Sequence, residues 1–202
     1  MTKDDTYKTI NNPSEEVLFK DKNSKFFGFA FPVKTEDDIK NCIEELKKQH
    51  YAARHWCYAY QLGIEDIKYR ANDDGEPSNS AGMPIYGQIQ SFDVTNILIV
   101  VVRYFGGVKL GVGGLINAYR TAAQMALENS KIVEKTIDLN FKVQFAYKHM
   151  SRIMRIIKDY DAKIESQKLE LDCNLTVSVR KGNADALYKS VKSFHDISIK
   201  KL

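Results

Sequence analysis

The chain has 202 residues, of which 44% are apolar, 28% charged and 11% aromatic, a mixture that excludes disordered and collagen-like classes. That length allows one medium domain or two small ones. The formal net charge is only +4, but residues 1–135 hold 17 basic and 18 acidic side chains whereas residues 136–202 hold 13 and 8, so the basic excess lies in the last third and permits an RNA- or ribosome-facing surface without establishing one.

The N-terminal residues, from Met1 to Asp5, show no apolar core of the kind a signal peptide needs. Two β-rich runs, Val17–Phe19 and Phe26–Phe31, flank the turn-like Asp21–Ser24 and predict a hairpin. Thr35 then caps a helix: Asp38 stands three residues on, and Ile39, Cys42, Ile43 and Leu46 recur at helical spacing. Trp56 to Leu62 reads as a strand. Residues 71–84, dense in small and turn-forming types around Asp73, Asp74 and Glu76, read as a loop. Ile97–Val102 is apolar without alternation, which predicts a strand buried on both faces of a helix-covered sheet. It is the longest apolar run and falls far short of the ~20 residues a membrane span requires. A Gly-rich segment, Arg103–Gly114, follows, and then a helix from about Leu115 to Glu128 with small residues at Ala118, Ala122, Ala123 and Ala126.

A second unit opens near residue 136. Ile137–Phe145 alternates as a strand, His149–Tyr160 is helical, Lys163–Gln167 and Glu170–Arg180 are strands, Asn183–Phe194 is a helix and Ile197–Ile199 a last strand. This β-α-β-β-α-β order predicts a ferredoxin-like domain over 136–202, after an α+β domain over 1–135. Cys42, Cys57 and Cys173 are odd in number and form no C-x-x-C, so no disulfide framework or zinc site is expected. The expectation is a soluble protein of a reducing cytoplasm, with no membrane partner.

Three segments carry candidate chemistry. In Arg103–Gly114, five of the 11 glycines (Gly106, Gly107, Gly111, Gly113, Gly114) fall in nine positions before a helix. Glycines let backbone N–H groups approach an anion, and the helix adds its positive end. Val94 to Leu127 contains no acid, while Arg103, Lys109 and Arg120 give it three positive charges. The known nucleotide fingerprints are absent, since no G-x-x-x-x-G-K-[ST] occurs and Ile116 breaks the dinucleotide pattern. The bland alternative is a turn that lets a helix pack closely on a sheet. In Arg54-His55-Trp56-Cys57-Tyr58-Ala59-Tyr60, His55 and Cys57 share a strand face and offer a nucleophile with a base, or else a partner-facing edge. Asp73, Asp74 and Glu76 offer hard oxygen ligands, but Asp74-Gly75 and Glu76-Pro77 form turns unaided. No metal or cofactor is expected.

His55-x-Cys57-Tyr58-Ala59-Tyr60, Asp73-Asp74-Gly75-Glu76-Pro77-Ser78-x-x-Ala81-Gly82-x-Pro84-Ile85 and Arg103-Tyr104-Phe105-Gly106-Gly107-x-Lys109-Leu110-Gly111-x-Gly113-Gly114-Leu115 together resemble the YigZ/IMPACT family. Asn79, Met83 and Tyr86 depart from its pattern, standing where Gly, Arg and an aliphatic residue are expected. The resemblance implies an N-terminal domain like that of a small-subunit ribosomal protein and RNase PH, and a second domain like the last domain of elongation factor G. Eukaryotic relatives share only the first domain and regulate translation through the amino-acid-starvation kinase pathway, but this chain lacks their RWD domain. The family has no agreed reaction. The expected function is therefore non-enzymatic binding of RNA or the ribosome, with phosphate contacts from Arg54, Arg103, Lys109 and Arg120 and base stacking on Tyr58, Tyr60 and Tyr104. The alternative is an enzyme acting on a phosphorylated or nucleotide ligand at residues 106–114.

Overall fold

The computed structural model of the chain describes residues 5–202. Residues 1–4, which belong to the stretch searched for a signal peptide, lie outside the described residues. Two compact units divide the chain, one of residues 7–134 and one of residues 135–202 with the first described residues. Among the described residues no helix is long and apolar enough to cross a membrane.

The unit of residues 7–134 runs β1 (Thr6–Ile10), β2 (Val17–Asp21), β3 (Ser24–Pro32), α1 (Glu36–Gln49), β4 (His55–Leu62), β5 (Lys68–Asn72), α2 (Gly82–Ser91), β6 (Ile97–Tyr104), α3 (Gly111–Glu128) and β7 (Ile132–Thr136). β1 pairs with β7, and the boundary between the units passes through both strands. The other five strands form an antiparallel sheet ordered β2-β3-β6-β4-β5. β6 lies at its centre. Ile97, Ile99 and Val101 pack with α2 and α3 on one face, and Leu98, Val100 and Val102 with α1 on the other. A strand with both faces covered has no solvated face, which is why its sequence does not alternate.

The turn between β2 and β3 uses Lys22 and Asn23, both at positive φ (42° and 65°), as a two-residue hairpin turn requires. Thr35 and Asp38 close a reciprocal capping box at the start of α1.

The structure also departs from the sequence-based expectations. α2 begins at Gly82, inside and beyond the stretch read as a loop, and α3 begins at Gly111 rather than Leu115. Gly82, Pro84 and Gly87 are poor helix formers, and they mask α2 in the sequence. Its stability is tertiary: Ile85, Tyr86 and Ile89 are buried, and Pro84 sits in the first turn, where its missing N–H costs nothing. β1, β5 and β7 were also not expected. Tyr86, the family departure, stacks on Tyr69 at 4.3 Å between centroids and donates to Gln61 Oε1 at 3.0 Å.

The second unit runs β8 (Asp138–Ala146), α4 (Met150–Asp159), β9 (Lys163–Lys168), β10 (Asp172–Arg180), α5 (Lys181–Lys192) and β11 (Ile197–Lys201). Its antiparallel sheet is ordered β11-β8-β10-β9, with both helices contributing to one core that contains Cys173. Thus the chain is a mixed α+β protein with several sheets.

In this unit Arg180 donates twice to Asp5, from Nε at 2.6 Å and from the terminal nitrogen at 2.8 Å. Those hydrogen bonds hold the Asp5 carboxyl below the ordinary carboxylate range. A depressed folded-state pKa contributes stability that is complete above the unfolded value, near 3.9, and fades as pH falls below it. Denaturant midpoints measured from pH 6 downward should therefore fall less steeply for Asp5→Asn than for the parent chain. Parallel curves would show that the pair contributes nothing.

Candidate functional site

The sheet sorts the candidate residues between its two faces. Along β4, His55, Cys57 and Ala59 face α2 and α3, while Trp56, Tyr58 and Tyr60 face α1. Along β6, Arg103 follows Val101 on the α2–α3 face, and Tyr104 packs with the α1-side cluster. The register of β4 against β6 places His55 directly opposite Arg103.

Glu76 is the hub of the α2–α3 face. Its Oε1 accepts from the Arg103 guanidinium at 2.5 Å and from the Tyr119 hydroxyl at 2.8 Å, with His55 Nε2 at 3.9 Å. Both partners of the Glu76–Arg103 pair are withdrawn from water, with side chains 4% and 6% exposed. The Asp74 carbonyl can only accept, so the 2.8 Å contact fixes the proton on His55 Nδ1 and turns Nε2 toward Glu76. The Cys57 thiol donates to the Asp73 carbonyl at 2.9 Å, and Tyr119 Oη lies 3.3 Å away.

The loop that carries Glu76 is fixed by its other acids. Asp73 accepts from the N–H groups of Asn79, Ala81 and Gly82 at 2.8–2.9 Å, which caps α2. Asp74 accepts from the Trp56 N–H at 2.7 Å. These carboxylates therefore tie loop to strand, and among the described residues no group of three His, Cys, Asp or Glu side chains is placed to hold a metal ion.

Glu76 and Arg103 line a cavity of about 370 Å³ whose other walls include Phe105, Lys109, Gly111 and Leu115. Lys109 is exposed, and α3 begins beside it without a side-chain cap, since Leu110 at that position has no acceptor. Gly111 adopts φ +75°, a left-handed conformation that favours glycine. Gly106 serves a different purpose, because a Cβ there would strike the Asn23 backbone in the β2–β3 turn. Gly107 and Gly113 are exposed, and Gly114 backs onto Leu110.

His55, Cys57, Asp73, Asp74, Glu76, Arg103 and Lys109 thus gather around one network and one cavity. Others fall elsewhere. Arg103 is buried against Glu76, so it is not a free phosphate contact. Tyr58, Tyr60 and Tyr104 lie across the sheet from the cavity, Tyr60 is buried, and Tyr104 Oη meets His50 Nδ1 at 3.1 Å. Stacking by these tyrosines beside Arg103 is excluded by strand alternation. Arg54 precedes β4 and Arg120 stands on α3, both exposed. The sequence reading missed Phe105 and Tyr119. The signal for Tyr119 was a single large polar-tipped residue beside the small face of α3.

Burial is the largest influence on the Cys57 thiol and pushes its pKa well up, which opposes thiolate formation. Cys57 should therefore resist iodoacetamide at pH 8 in the folded chain and react only on unfolding. Native-state labelling of Cys57, read by peptide mass, would restore the nucleophile reading.

Residues 22–127 match the Impact N-terminal domain, so the matched segment spans every element of the site. The IMPACT family member YvyE of Bacillus subtilis is 36% identical over 167 residues, covering 82% of this chain and 70% of that protein. An IMPACT family member of Haemophilus influenzae is 30% identical over 181 residues, 86% of each chain. A crystal structure of a hypothetical protein superposes with a TM-score of 0.72 at 25% identity, covering 98% of both chains. With the domain matched over its site-bearing half and relatives aligned along most of its length, the chain belongs to the IMPACT family.

Proposed function

We propose that the chain is a non-catalytic binding module of the translation machinery, which holds an RNA phosphate at the mouth of the cavity beside Lys109. The observation that carries this reading is the pairing of Lys109 with the uncapped start of α3. An uncapped helix start presents backbone N–H donors and a positive partial charge to an anion. No acid lies between Val94 and Leu127 to oppose it, and Arg103 balances Glu76 within the cavity. The translational role follows the family resemblance. The domain reading is part of the proposal, with an IMPACT domain over 1–135 and a ferredoxin-like domain over 136–202. The β-α-β-β-α-β order with sheet order β11-β8-β10-β9 supports the latter.

Binding of the full chain to single-stranded RNA should weaken steeply from ~50 to ~300 mM salt, as counterions return to the phosphates. Lys109→Ala should make the log–log slope shallower by about 0.7, the loss of one phosphate contact. Lys109 is exposed, so the melting temperature should not move. An unchanged slope, or no binding at low salt, would overturn the proposal.

A further inference from the structure

We infer that the cavity is a nucleotide site, which seats a nucleobase between Phe105 and Glu76 while the attached phosphate lies at Lys109. This rests on the phosphate-binding reading above and extends it from a charge contact to recognition of a base. All the polar contacts of the Glu76 carboxylate fall on Oε1, and Oε2 receives no hydrogen bond. That oxygen belongs to a side chain 96% withdrawn from solvent, and the residue lines the cavity. A carboxylate oxygen so enclosed needs a donor, and its chemistry selects an N–H group. Arg103 Nε is likewise buried without a partner on the same wall.

Phe105 supplies the second requirement. It is 49% exposed, lines the same cavity, and has the Arg103 guanidinium carbon 5.5 Å from its ring centroid. An aromatic face left open at a cavity wall suits a flat ring, and every nucleobase offers one. Lys109 supplies the third, a cation for the phosphate. An enclosed acceptor, an open aromatic face and a cation in about 370 Å³ match a base bearing an amino group and joined to a phosphate. Such a unit is supplied by a free nucleotide or by an unpaired residue of an RNA strand.

The test titrates the full chain with AMP, with N6,N6-dimethyl-AMP, with ribose 5-phosphate and with a short single-stranded oligoadenylate. AMP should bind about ten-fold more tightly than ribose 5-phosphate, the scale of one base–aromatic stack. Dimethylation removes the donor that Glu76 Oε2 accepts and should cost several-fold. Phe105→Ala should bring AMP down to the level of ribose 5-phosphate and leave the latter unchanged. Oligoadenylate binding more tightly than AMP assigns the site to an RNA strand, and equal binding assigns it to a free nucleotide. If AMP and ribose 5-phosphate bind alike, or dimethylation changes nothing, the base assignment falls while salt-dependent RNA binding keeps the phosphate reading. If RNA also fails to bind at low salt, both fall.

Discussion

Glu76→Ala should destabilise the unit of residues 7–134 by about 3–5 kcal/mol, because it leaves a buried guanidinium without its counter-charge. The Arg103 side chain is 6% exposed, and its Nε already lacks a hydrogen-bond partner. Removing the carboxylate also strips Tyr119 of its acceptor. Phe26 and Phe105 lie within cation–π range of Arg103, each 5.5 Å away, but such contacts contribute only about 0.5–2 kcal/mol and cannot replace the lost ion pair. Glu76→Gln keeps the shape and one acceptor, so its loss should be smaller. The double change Glu76→Leu with Arg103→Met should recover much of the deficit, since removing both buried charges also removes their desolvation cost. Urea unfolding of the three variants checks this. A single variant within about 1 kcal/mol of the parent would show that the pair is hydrated in solution.

Most of the fold was legible because its strands and long helices obey simple periods. The central strand β6 is an unbroken apolar run, the cap of α1 is spelled by Thr35 and Asp38, and the last six elements alternate cleanly. What stayed hidden had a non-local cause. α2 carries two glycines and a proline in ten residues, and only the core contacts of Ile85 and Ile89 with the Asp73 cap make it helical. The site was half legible. The motifs named His55, Glu76, Arg103 and Lys109, but not that Glu76 and Arg103 bond each other across 27 residues of sequence. Period two along β4 and β6 already contained the correction to the tyrosines. His55 and Cys57 on one face put Tyr58 and Tyr60 on the other, and Arg103 and Tyr104 cannot share a face.

Asp73→Ala should be the most damaging loop substitution outside the Glu76–Arg103 pair, with a loss of about 2–3 kcal/mol. The Asp73 carboxylate is the common acceptor for three backbone N–H groups, two of them at the start of α2. Hydrogen bonds to a charged acceptor contribute more than neutral ones, about 1.5–3 kcal/mol each. The sum is not realised in full, because the Asn79 N–H is exposed and water replaces its bond. The N–H groups of Ala81 and Gly82 lie beside fully buried chain and have no such replacement. Asp73→Asn keeps the Oδ1 acceptor without its charge, so it should lose roughly half as much. The effect should reach the site, since Asp73 and Asp74 fix the turn that delivers Glu76 to Arg103. Hydrogen exchange at Ala81, Gly82 and Trp56 should accelerate in Asp73→Ala well before global unfolding, with the rest of β4 and β6 still protected. Equal protection in variant and parent would mean that the loop is held by core packing of α2 alone, and that this acid is free for some other task.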